Sequence, residues 1–137
     1  MCRKATGLIC VLILTAVLSG CRFIKIEEGE RTPLEYTIMK QEEIPREAVE
    51  LMEQKKEKAF QMTYQVGDVR YLMKGYGQQL TGGYSIQVEE VSESENAVFC
   101  KTRLVGPEEK NIGSEPSYPC IVLQIADTQK PVQFMDG

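Results

Sequence analysis

From Phe60 to Phe134 apolar and polar residues repeatedly change places at every second position, a period that few folds can use. Phe60-Gln61-Met62-Thr63-Tyr64 alternates, Gly67-Asp68 offers a tight turn, and Val69 to Lys74 follows as the return strand of a hairpin. Tyr84 to Val88 alternates again. Ser92 to Asn96 is polar turn material, and Ala97 to Val105 runs back until Gly106-Pro107 stops it. A loop with Gly113 and Pro116 as breakers spans 108–117, and Cys120 to Ile125 is the stretch richest in β-formers. Val132 to Phe134 predicts a short last strand, and Tyr36 to Met39 a short first one.

Only one segment departs from this period. Ile44, Ala48, Leu51 and Met52 recur at helical spacing. Pro45 suits a first helical turn, Glu43 and Glu47 lie near the positive end, and Lys55, Lys56 and Lys58 near the negative end. One helix beside many strands predicts an α+β domain: an antiparallel, twisted or partly closed β-sheet with one amphipathic helix packed on it.

The start of the chain has a different composition. Arg3 and Lys4 precede the uncharged, almost wholly aliphatic run from Ala5 to Leu18, which is too short for a bilayer span of about 20 residues. A basic start, an apolar stretch and a small-residue stop predict a signal peptide over 1–20. Leu18-Ser19-Gly20-Cys21 resembles the bacterial lipobox, an aliphatic residue and two small ones before cysteine. The resemblance implies cleavage before Cys21, with diacylglycerol on its thiol and the domain held at the extracytoplasmic face of a bacterial cell membrane. Two acyl chains hold a protein stably where one holds it weakly. Residues 22–34, charged and broken by Gly29 and Pro33, read as a tether, so the organisation expected is signal 1–20, tether 21–34 and domain 35–137.

The formal charge is −4, and setting aside Arg3 and Lys4 brings the part from Cys21 onward to −6. With no basic cluster interleaved with aromatics, nucleic acid is not an expected partner. Histidine is absent and the aspartates are Asp68, Asp127 and Asp136, so no metal, cofactor or catalytic residue is expected. Glu89 and Glu90 are adjacent, and strand neighbours point to opposite faces, so they are not read as an acid–base pair. Cys100 and Cys120 have two readings. They form a disulfide if their strands are neighbours in an oxidising compartment, or they are two small buried hydrophobes.

Residues 75–85 (GYGQQLTGGYS) are the densest glycine stretch. A dinucleotide-binding fingerprint needs glycine at Leu80 and a helix next, and a phosphate loop needs lysine at Tyr84; neither condition holds. The glycines therefore read as a connection between strands, with Gly82 and Gly83 at positive φ or in a tight bend. Tyr76, Thr81, Gly82, Gly83 and Tyr84 are the candidate partner-binding loop, since tyrosine is a common interface anchor.

The run GYGQQLTGGYSIQVEEV, with Tyr118-Pro119-Cys120-Ile121-Val122-Leu123 and Lys130 to Phe134, resembles the C-terminal domain of the protease complex subunit PrcB family. Leu80 stands where that family often has proline, and Cys120 where an aromatic or apolar residue is more usual. The resemblance implies a non-catalytic lipoprotein that associates with an extracytoplasmic protease. Two other classes stay open: a protease inhibitor, because Thr81-Gly82-Gly83-Tyr84 also resembles the Thr-Thr-Gly-Tyr loop of chagasin-like proteins, and an envelope small-ligand binder.

Overall fold

A computed structural model describes residues 30–136. The expectations for the signal peptide and for Cys21 lie outside these residues. Within them the elements are β1 (Thr32–Pro33), β2 (Thr37–Ile38), α1 (Arg46–Lys55), β3 (Ala59–Val66), β4 (Val69–Tyr76), β5 (Ser85–Glu93), β6 (Val98–Val105), β7 (Cys120–Ala126) and β8 (Val132–Asp136). No helix among the described residues is long and apolar enough to cross a membrane.

The strands form two four-stranded sheets, β1-β5-β6-β8 and β2-β7-β4-β3, rather than the single sheet expected. The reason lies in the central strands. Tyr71, Leu72 and Met73 are consecutive and all buried, as are Val122 and Leu123. A strand apolar on both sides needs a layer on each. Leu72, Leu123 and Ile125 turn toward the other sheet and meet Val91, Val98 and Cys100, with Phe134 and Leu34 beside them. Tyr71, Met73 and Val122 turn the opposite way, onto Ala48 of α1, with Ile44, Met52, Phe60 and Met62 around them. Ala48 is fully buried, a small side chain where helix and sheet meet. The layers are therefore helix, sheet, sheet.

The hairpin predicted at Gly67-Asp68 forms, with Val66 opposite Val69. Gly67 has φ of 59° while no non-glycine residue among the described ones has positive φ. That places glycine first in the turn, the II′ arrangement that matches strand twist. Pairing is antiparallel except at one place: after β6 the chain runs β7 in the other sheet and returns as β8 parallel to β6, Val98 opposite Val132. The tether reading also needs correction at its end. Thr32 and Pro33 pair with Glu93 and Ser92, and the Leu34 amide donates to the Val91 carbonyl at 3.0 Å. An edge strand accommodates proline because its missing N–H is not needed there.

The simple alternation applied to Glu89 and Glu90 fails because β5 carries a bulge between Val88 and Glu90. Val88 and Val91 both face the inner core, three positions apart. Both carboxylates therefore lie outside, each engaged by an arginine: Glu89 with Arg103 at 3.1 Å and Glu90 with Arg31 at 3.2 Å. Arg31 also stacks on Phe99, 3.9 Å from the ring centre, and so covers an aromatic ring on an otherwise solvated face. These are structural ion pairs.

Candidate functional site

The glycine stretch connects β4 to β5, crossing from one sheet to the other at one end of the domain. It is tied to the loop before β7. Gln79 and Ser117 exchange backbone hydrogen bonds of 2.8 and 3.1 Å, and the Ser117 hydroxyl donates to the Thr81 carbonyl at 2.7 Å. Gly82 lies against Gly113 so closely that a Cβ on Gly113 would sit 3.1 Å from the Gly82 Cα. Gly83 has φ of 89°, and a Cβ there would come within 2.4 Å of the Asn111 carbonyl oxygen. Only glycine meets both demands at that position. The structural reading of the glycines holds, with Gly83 taking the positive φ and Gly82 the close approach.

The five candidate loop residues do not form one surface. Tyr76 ends β4 with its hydroxyl hydrogen-bonded to the Thr102 hydroxyl of β6, in the layer between the sheets. Burial pushes its phenol above the usual range. Tyr76 is therefore a strut between sheets, a correction to its place in the loop. Its position explains this: strand alternation from Leu72 through Lys74 directs it inward. Tyr84 is half-buried, beside Gly106. Thr81, Gly82 and Gly83 build the backbone of the loop. The side chain the loop presents is Leu80, 87% exposed, and the partner loop contributes Ile112, 53% exposed. Sequence reasoning noted Leu80 only as a replacement for proline and missed Ile112. The available signal was an apolar residue within two positions of a glycine in each of two loops.

A second concave region runs beside α1, a groove of about 410 Å³ that includes Ile38, Met52, Lys56, Tyr118 and Cys120 in its lining. The Lys56 ammonium sits 4.7 Å from the Tyr118 ring centre and 2.9 Å from Glu53. Cys120 opens β7 in one sheet, whereas Cys100 faces the inner core from β6 in the other, and both thiols are free. The disulfide condition, neighbouring strands, is not met; the small-hydrophobe reading describes them. Burial pushes each thiol up to about 11, so both are protonated at neutral pH and are poor nucleophiles. Among the described residues no cluster of three or more His, Cys, Asp or Glu side chains has metal-binding geometry.

Two stacked sheets with one helix, and a laced pair of loops presenting apolar side chains at one end, define a small β-rich module. A family model described as PrcB C-terminal matches residues 70–126, the stretch from β4 through β7 that contains both loops. That part of the chain is similar to PrcB C-terminal domains, the family that the glycine stretch resembles. No curated protein and no solved structure matches the chain.

Proposed function

We propose that the chain is a membrane-anchored, extracytoplasmic lipoprotein whose domain serves as a non-catalytic accessory subunit of a protease complex, docking through the loop pair around Leu80. The observation that carries this reading is the coincidence of the matched family stretch with the two laced loops. The loops are held by backbone bonds and glycine contacts rather than by large side chains. Leu80 and Ile112 are thus ordered without being buried, and binding through them costs little ordering entropy. The leader pattern ending in Leu18-Ser19-Gly20-Cys21 supports the anchor.

Detergent solubilisation of cells followed by affinity capture of this chain and mass spectrometry tests the reading. A protease is expected in the eluate. Leu80→Asp is expected to lower its recovery at least tenfold while leaving the melting temperature unchanged, because Leu80 contributes nothing to the core. Recovery of no protease, or recovery indifferent to Leu80→Asp, contradicts the proposal. For the anchor, a fatty-acid probe is expected to label the parent chain, and label retained by Cys21→Ser contradicts it.

A further inference from the structure

The four outer strands of the two sheets are not equally protected. β1 and β2 are two residues each, and β1 contains Pro33. β8 has five residues, follows Pro131 and ends on Asp136. β3 is eight residues long, Ala59-Phe60-Gln61-Met62-Thr63-Tyr64-Gln65-Val66, with no charge, no proline and no break in its register against β4. Charges, prolines, bulges and shortness are how an outer strand avoids pairing with another chain, and β3 uses none of them.

Its open side has a definite pattern. Val66 and Val69 close a two-residue turn and exchange hydrogen bonds, so Tyr64, Met62 and Phe60 also bond to β4. The amides and carbonyls of Ala59, Gln61, Thr63 and Gln65 therefore point away from the sheet. The Tyr76 amide donates to the Pro119 carbonyl and not to its partner Ala59, as this alternation requires. No hydrogen bond from these four residues' backbones to another element exists among the described residues.

We propose that β3 pairs antiparallel with β3 of a second copy of this chain, about a twofold axis through Met62, merging two sheets into one. In this register Gln61 faces Thr63 and Ala59 faces Gln65 of the second copy, and every outward backbone group of the four residues gains a partner. Met62 faces itself and Phe60 faces Tyr64, so apolar side chains meet apolar ones on the helix side of the sheet. No charge opposes a like charge along the strand. The matched family stretch begins after β3, so this edge is a property of the chain outside that stretch. The proposal does not rest on the protease-complex reading.

Sedimentation of the full chain in detergent, with the micelle density matched, is expected to give twice the protomer mass. Gln61→Pro removes an outward amide without touching the β4 ladder and is expected to return the protomer mass with the melting temperature retained. Met62→Cys, on the axis at a non-hydrogen-bonded position, is expected to cross-link as a dimer under mild oxidation in most molecules. Val66→Cys is expected to cross-link no more than the parent. Protomer mass for the parent chain at high micromolar concentration overturns the proposal, including the case in which β3 instead takes a strand from a different protein. A dimer that survives Gln61→Pro, or no Met62→Cys cross-link above the parent, overturns it as well.

Discussion

The two faces of the sheet that holds β4 are sealed in different ways. Its inner face meets a whole second sheet, and Leu72, Leu123, Val98 and Cys100 are each at most 1% exposed. Its outer face is covered by one ten-residue helix, which buries Tyr71, Met73 and Val122 but leaves a groove where Ile38 is 54% exposed and Tyr118 and Cys120 are half-buried. The inner face even encloses Lys74, whose ammonium lies 3.6 Å from Asp136 and 5.1 Å from the Tyr76 ring centre. A side chain covered from a facing sheet has contacts on every side, whereas one covered by a single helix lies close to the rim of the cover. The inner interface is thus closed across its width, whereas the outer one is closed under the helix and open beside it.

Substitutions can break this contrast. Leu72→Ala is expected to cost about 3 kcal/mol in chemical denaturation, because the inner layer cannot collapse onto the cavity. A cost equal to that of an outer substitution would erase the distinction. Ala48→Leu adds bulk at the closest helix contact and is expected to cost about 2 kcal/mol. Its accompanying signature is faster hydrogen exchange confined to α1, while β4 through β7 stay protected. Met52→Ala, half-buried at the groove, is expected to cost about 1 kcal/mol, less than either. The smallest effect belongs to the outer surface of the second sheet. The Ser92 hydroxyl, and then Arg31, hold the Glu90 carboxyl below its ordinary value. Its contribution is therefore present above the unfolded carboxylate pKa and is lost as pH falls through the folded one. Glu90→Gln is expected to cost about 0.5 kcal/mol at neutral pH, since the pair is partly solvent-screened. A stability difference from the parent that narrows below about pH 4 is the check.

Several elements could be read from residues alone because their causes are local. Gly67-Asp68 turns because glycine tolerates its φ, and the stripe of Ile44, Ala48 and Met52 is a helical period wherever it occurs. Tyr76 shows where such reading stops. As part of a glycine-rich stretch it belongs with the loop, yet it is the last inward residue of β4. The bulge at Glu89 is equally silent in sequence, because two glutamates in a strand look the same with or without it. Leu80 was visible as an unusual residue, but its exposure depends on how the loop is tied to Ser117 and Gly113, more than thirty positions away.

By itself, then, the sequence determined the strands other than β1, the single helix, the hairpin and the glycine connection, because backbone preference and side-chain period act over a few residues. Tertiary structure alone decided that the strands divide into two sheets, that β8 runs parallel to β6, that Cys100 and Cys120 face different layers, and that β3 is left as the long open edge. Those outcomes depend on which apolar faces cover one another. Several pairings satisfy the same alternating pattern, and only burying every apolar face at once selects among them.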